Sequence, residues 1–339
     1  MKKNLILVAA LSLNTAFLVS CSEDDNSNNN NDNSKTELFT ASNTTGSVSY
    51  LDLEATMPMP MNFSTGSMDA DGIYYDDSAR ELIIASRTNT RIEVYDFTDA
   101  ATMAPASLMM KAGSTTGDFT NAREIAVSGN RVIVAQDQNA DTNGNMNKLF
   151  VYQRSGSGFT LEKTFTADFK LWGIHMDGNN LYAVADLTSD LVVFNNIFSK
   201  TEGALTADKR VTIEGLVRTH GISYSDDLDT MVLTDVGNAM SDSDGGLVVI
   251  ENFDDVFAGT INGGTIMMAD QMRIYGPNSM MGNPVDVAID SDSKRIYVAE
   301  RLKSGGMVLT FTYPTAAASD AMPINSRAEG GVTGIFLNE

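Results

Sequence analysis

Carboxylates and amides carry most of the reactive potential of this chain. The run Asp137-Gln138-Asn139-Ala140-Asp141-Thr142-Asn143-Gly144 alternates oxygen-bearing side chains and closes on a glycine. Hard cations take oxygen ligands at such spacing, and a glycine permits the sharp turn, so Asp137, Asn139, Asp141 and Asn143 are expected to hold calcium. No glutamate closes the loop, Phe150 standing near its end, so this is a looser site than a helix–loop–helix calcium loop. A second group, Asp186, Asp235 and Glu300 with Arg301 beside it, could support acid–base work if the fold brings its members together. Trp172, the only tryptophan, could pack between elements or stack on a sugar or a cation.

Other chemistries lack their residues. One cysteine and two histidines leave no internal disulfide, no paired-cysteine metal motif and few routes to a catalytic triad. No phosphate-binding glycine loop, nucleophile elbow or HExxH helix is present. The net charge is −21 over 339 residues, which repels nucleic acid and excludes it as a partner class.

The elements that must position these residues recur along the chain. Six segments share an apolar pair split by one residue, starting at Gly72, Glu124, Gly173, Gly221, Asp286 and Gly334. Their spacings are 52, 49, 48, 65 and 48 residues. Most are followed by a polar turn, a second strand such as Glu81–Ser86 or Arg295–Glu300, another polar loop and a third strand. A step of this length is that of one four-stranded blade, which predicts an all-β, six-bladed β-propeller over residues 36–339, with seven blades as the alternative. Fourth strands are expected at 107–111, 159–166, 209–214 and 265–272. The sixth segment ends the chain, and its missing strands sit at the other end: Glu37–Ser42, ELFTAS, copies Glu81–Ser86, ELIIAS. Strands from both ends should close the ring. The run Met57-Pro58-Met59-Pro60-Met61 falls where the outer strand of that closing blade belongs. Loops joining second to third strands, and the starts of inner strands, should share one face. There the acids are expected to dominate and to converge on the central channel.

The stretch Gly282–Tyr313, GNPVDVAIDSDSKRIYVAERLKSGGMVLTFTY, resembles an NHL-type repeat, and Thr219–Val236 resembles the repeat of gluconolactonase-like propellers. The second resemblance implies a metal-dependent lactonase or esterase with Glu124, His220 and Asp286 around the ion. Glu124 and Asp286 stand one residue out of phase with His220, a departure from that pattern. A quinone-dependent sugar dehydrogenase, also hosted by similar propellers, would want basic and histidine residues toward its cofactor.

The chain starts with a targeting pattern: Lys2 and Lys3, then the apolar run Leu5–Val19, then Leu18-Val19-Ser20-Cys21. This end resembles the lipobox of bacterial lipoproteins. It implies a signal peptide over 1–20, cleavage before Cys21, acylation of Cys21 with palmitate-type chains and anchoring in a lipid bilayer. Ser22 in place of aspartate favours the outer membrane, and Ser22-Glu23-Asp24-Asp25 resembles a surface-export tag. Residues 21–35 read as a tether, because NSNNNNDNSK has no apolar side chain to bury. The reading reached is a lipid-anchored, monomeric propeller of the cell envelope, acting as a binding or scaffold module. Its acidic top face, with Trp172, Asp186, Asp235, Glu300 and Arg301, would meet a protein or glycan, with one calcium ion as the cofactor. The lactonase-type hydrolase is the alternative.

Overall fold

The computed structural model describes residues 35–156 and 158–339. The targeting run, Cys21 and the tether up to Ser34 lie outside the described residues. From Lys35 onward the chain forms six sheets, antiparallel except for short parallel additions at three outer edges, arranged as the blades of one propeller. The count is six, and the seven-bladed alternative is set aside.

The inner strands are Ala70–Asp76, Ala122–Ser128, Leu171–Asp177, Thr219–Ser225, Pro284–Asp290 and Val332–Asn338. We number their blades 2, 3, 4, 5, 6 and 1. Each inner strand touches the next, and Val332–Asn338 touches both Pro284–Asp290 and Ala70–Asp76, so the ring is closed. Blade 1 combines Val332–Asn338 from the end of the chain with Glu37–Ser42, Ser47–Asp52 and Met61–Ser64 from its beginning. Strands such as Glu81–Ser86 are buried along their whole length because each blade is covered on both faces by its neighbours. Asp76 Oδ1 accepts from Ala79 N–H at 3.0 Å, and Asp290 Oδ1 accepts from Ser293 N–H at 2.7 Å. These side-chain turns set the hairpins on the lower face. Six apolar clusters fill the six blade interfaces, and the one between blades 6 and 1 is the smallest.

Outer strands depart most from expectation. In blade 2 the strand is Met109–Gly113, and in blade 5 it is Met272–Tyr275. The long 65-residue step holds an insertion that includes the helix Phe253–Gly259. Thr265–Ile266, expected in the blade 5 outer strand, instead crosses to blade 4 and pairs in parallel with Lys209–Ile213. Blade 6 ends in Asn325–Ala328, a largely exposed strand without apolar alternation to announce it. Blade 1 ends in Met61–Ser64, while Met57 and Met59 are 80% and 74% exposed and belong to no strand.

Candidate functional site

A register shift interrupts the pairing near the start of every inner strand of blades 2–6, at Asp71/Ile73, Ala122/Glu124, Leu171/Ile174, Thr219/Ile222 and Pro284/Asp286. Such bulges re-aim side chains. The second residues of the six inner strands are Asp71, Arg123, Trp172, His220, Val285 and Thr333, and all line one cavity at the upper end of the axis. The third residues are Gly72, Glu124, Gly173, Gly221, Asp286 and Gly334. Glycine is needed there for close approach: a Cβ on Gly72 would stand 2.6 Å from Ile125 N, and one on Gly221 2.7 Å from Asp286 Cα. Only blades 3 and 6, opposite one another, carry side chains at this level.

The upper cavity has a volume of about 440 Å³, and its wall carries Arg87, Arg123, Arg218 and Arg301 with His220 against Asp69 and Asp71. The expected dominance of carboxylates is therefore reversed at the axis. Arg87 meets Asp71 at 2.9 Å, and Arg123 meets Asp71 and Asp137 at 3.4 Å each. Arg218 grips both oxygens of Asp186 at 2.6 and 3.1 Å. Arg301 is exposed and forms no ion pair among the described residues. Six of the ten buried side-chain polar atoms that lack a partner among the described residues belong to this wall: Asn43 Oδ1, Asp69 Oδ1, Asp71 Oδ1, Arg123 Nε, His220 Nδ1 and Asn283 Oδ1. Buried polar groups are normally satisfied, so this cavity leaves an unusual concentration of donors and acceptors facing its interior, where water or another polar molecule could meet them.

Trp172 stands in this cavity but offers no free face. The His220 ring lies 3.6 Å from its centroid at an interplanar angle of 7°, and the Arg123 guanidinium lies 3.9 Å from it. Both cannot occupy one side, so the indole is sandwiched between them. Trp172 thus stacks on a cation of its own chain, Arg123, and packs between blades, with neither face left for a sugar. His220 Nε2 lies 3.1 Å from Asp186 Oδ1. A carboxylate accepts only, so Nε2 carries the proton and Nδ1 presents a lone pair. Burial pushes His220 down to about 4 despite Asp186, so the ring is neutral near pH 7. Burial alone would raise the Asp186 carboxyl, but His220 and Arg218 hold it below the usual carboxylate range.

The other site residues have different surroundings. Asp235 and Glu300 end matching second strands, as Ser42, Ser86 and Gln136 do. Asp235 accepts from the N–H groups of Val217, Arg218 and Gly237 and from Tyr275 Oη–H at 2.9–3.0 Å. Glu300 accepts from the N–H groups of Gly282, Asn283, Leu302 and Lys303 at 2.8–3.0 Å. Both are spent on pinning the upper loops and do not converge with Asp186. In the expected calcium loop, Asn139 Oδ1 caps the short helix Ala140–Asn143, Asn143 bonds Asp137 C=O at 2.9 Å, and the Asp137 carboxylate turns to Arg123 and Lys170. The structure thus does not assemble Asp137, Asn139, Asp141 and Asn143 as one ligand set, because capping consumes Asn139 and backbone hydrogen bonds within the loop consume Asn143.

Glu124 and Asp286 do meet, across the axis below the upper cavity, and their carboxyls interact directly. Asp286 accepts from Val287 N–H at 2.9 Å and Ile335 N–H at 2.8 Å, and Glu124 Oε1 from Ile125 N–H at 2.8 Å. Burial and the neighbouring Asp286 raise Glu124 well above its ordinary value, and burial raises Asp286 against the pull of its two backbone N–H bonds, with Asp71 adding to the rise. The pair caps a lower channel of about 230 Å³ whose wall mixes aliphatic side chains with polar groups such as His175, Ser223 and Glu339. His220 is engaged by Asp186 instead, and no three His, Cys, Asp or Glu side chains are grouped for a metal among the described residues. The Glu124–His220–Asp286 set therefore does not fit a single ion.

Fold and site define a β-propeller with one arginine-walled cavity at the upper end of its axis. Its structure is similar to a chain of the nidogen/laminin complex, with a TM-score of 0.60 and 12% identity over 90% of this chain and 98% of that one. It is similar to a candidate 6-phosphogluconolactonase from Bacteroides fragilis NCTC 9343, with a TM-score of 0.57 and 10% identity over 91% and 99% of the two chains. A further candidate 6-phosphogluconolactonase, from Bacteroides uniformis ATCC 8492, gives 0.55 and 13% over 88% and 84%. At such identities the likeness is one of fold. No protein-family profile matches the chain, and no curated protein matches it in sequence.

Proposed function

We propose that this protein is a binding propeller of the cell envelope whose upper cavity captures a small anionic ligand, such as the acidic end of a glycan. The observation that carries this reading is the wall itself: four arginines and a cluster of unpartnered buried polar atoms around one cavity of about 440 Å³. Arg301, free of any carboxylate among the described residues, is the group to receive the ligand's charge. Asn43, Asn283 and Asp69 offer acceptors for hydroxyl groups beside it. The net charge of −21 opposes the approach of an anion at long range, which the local basic wall has to overcome. A strongly acidic exterior repels polyanions, while a concave basic pocket still favours one small anion. Acylation at Cys21 would hold this cavity at a membrane surface.

Lactone or ester hydrolysis is the second reading, favoured by the neutral His220 that Asp186 orients and whose Nδ1 is unpartnered. Binding is preferred because an imidazole with a pKa of about 4 is a weak general base near neutral pH. Calorimetric titration with a hexuronate, an aldonate and a sugar phosphate, each beside its neutral parent, tests the proposal. Anions should bind in preference to their parents, and Arg301→Gln should weaken them about tenfold or more, the worth of one charge-assisted hydrogen bond. Equal binding of neutral parents, or an unchanged affinity in Arg301→Gln, refutes it. Turnover of a lactone panel that His220→Gln abolishes would favour the hydrolase.

A further inference from the structure

Three blades borrow a fifth strand from the next blade in the ring. Gly203–Leu205, from the loop between the third and outer strands of blade 4, pairs in parallel with the blade 3 outer strand Gly158–Ala167. Thr265–Ile266 from blade 5 does the same to blade 4, and Ala318–Ser319 from blade 6 to blade 5. In blades 3 and 4 the donated segment also buries an aliphatic side chain, Leu205 at 5% and Ile266 at 1% exposure. Ser107 of blade 2 makes a single parallel bridge to Ser64 of blade 1. The same loop of blade 1, residues 53–60, should serve blade 6, yet it makes no backbone bond to Asn325–Ala328. Pro58 and Pro60 lie two apart, so an extended chain has no N–H donors on the side they share.

The consequence is an open groove of about 550 Å³ beside an unpaired sheet edge. Its walls include Leu38, Leu51, Leu53, Val308 and Ile324, next to Pro58 and Pro60. This is also the interface with the smallest buried cluster. The edge can be read residue by residue. Glu329 N–H donates inward to Gly306 C=O at 2.9 Å, so alternation along the strand turns the backbone groups of Ala328 and Ser326 outward. Aligned on the strand pairing, Ser326 matches Arg273 of blade 5, whose N–H donates to Ala317 C=O at 3.0 Å, and Arg210 of blade 4, whose C=O accepts from Gly263 N–H at 2.8 Å. The backbone groups used in blades 4 and 5 are unpaired here among the described residues. Tyr297 Oη, buried in the same groove, also lacks a partner.

We infer that this edge is a peptide-binding site. It accepts an extended segment of a partner protein, parallel to Asn325–Ala328, with a branched aliphatic side chain entering the groove and small residues beside it. The donated segments of blades 3 and 4, Gly203-Ala204-Leu205 and Thr265-Ile266, are the template for that occupant. Residues 22–34 of this chain hold no aliphatic side chain and cannot supply it. Main-chain bonds would give affinity and the groove specificity, as in other strand additions.

The test uses the mature chain and a labelled synthetic heptapeptide, TEGALTA, copied from Thr201–Ala207. Fluorescence anisotropy should show saturable binding. The peptide with aspartate in place of its leucine should bind about tenfold more weakly or worse, since a charge cannot enter the groove. Ser326→Pro removes the outward N–H of an edge strand, a change edge strands tolerate. It should abolish binding with the melting temperature kept. Hydrogen exchange should slow at Ser326 and Ala328 when peptide is added. Binding that Ser326→Pro leaves intact, no binding at millimolar peptide, or self-association of the chain through this edge in place of peptide binding would each overturn the inference.

Discussion

Replacing Glu124 by glutamine should stabilise the protein above pH 5, and the reason is visible in its hydrogen bonds. Both oxygens of Asp286 accept backbone N–H groups, from Val287 and Ile335. Glu124 uses one oxygen on Ile125 N–H and has the other free. The shared proton therefore sits on Glu124 and points at Asp286. Burial first, then the neighbouring carboxylate, raises Glu124 well above its ordinary 4.5, and burial lifts Asp286 from 3.8 to about 7. An acid whose folded pKa is raised contributes stability that is complete below its unfolded pKa and is lost as pH rises through the folded value. The contribution of Glu124 is therefore lost as pH rises past its ordinary 4.5 and on through its raised folded value. Glu124 is partly open to the lower channel, which reduces that contribution. Glutamine keeps the acceptor for Ile125 and donates an amide hydrogen to Asp286 without ever ionising. Thermal unfolding of wild type and Glu124→Gln from pH 4 to 8 should give curves that meet near pH 4 and separate by several degrees at pH 8, with the variant higher. Asp286→Asn removes an acceptor and should be destabilised at every pH by about 1–3 kcal/mol. Parallel curves for wild type and Glu124→Gln would refute the shared proton. A variant that is less stable at pH 8 would refute its assignment to Glu124.

Two further outcomes follow from the same structure. Glu300→Ala leaves four backbone N–H groups of the upper loop without their acceptor, so urea unfolding should show a loss of about 3 kcal/mol, whereas Glu300→Gln should lose less. Cys21→Ala should move the protein from membranes to the soluble fraction on cell fractionation; retention in the membrane would show that another segment anchors it.

The blades were legible because a strand covered on both faces must be apolar along its length, and six copies repeat that demand at nearly constant spacing. Asn325–Ala328 escaped notice for the opposite reason: an edge strand exposed to water needs no apolar residue. The sign of the cavity was hidden differently. Arg87, Arg123, Arg218 and Arg301 are scattered over four blades and follow no shared motif. The acids near them are as numerous in sequence, but Asp235 and Glu300 turn to backbone N–H groups that only the folded loops bring within reach. Matching positions at strand ends signalled a common task, and that task is holding loops rather than meeting a ligand. Trp172 was expected on the top face, yet nothing local in sequence tells that residues from the two flanking blades, Arg123 and His220, cover both its faces.

The glycine pattern limits what the axis can do. Close approach of the inner strands requires glycine at the third position in blades 2, 4 and 5, and blade 1 also has glycine there, so only blades 3 and 6 send a side chain across. Those two carry Glu124 and Asp286, which meet and separate the upper cavity from the lower channel. A ligand entering from above therefore reaches a floor rather than a passage, and the polar atoms that can hold it are those of the wall. For the proposed anion, a floor that keeps one proton and so carries one ionised carboxylate repels the ligand less than a floor with two would. The Glu124–Asp286 proton and the arginine wall are then parts of one electrostatic arrangement. Anion binding at the cavity should weaken as pH rises past the value at which the pair gives up its proton, and in Glu124→Gln that pH dependence should vanish while binding itself remains; calorimetry across pH 6–9 with the two proteins decides the point.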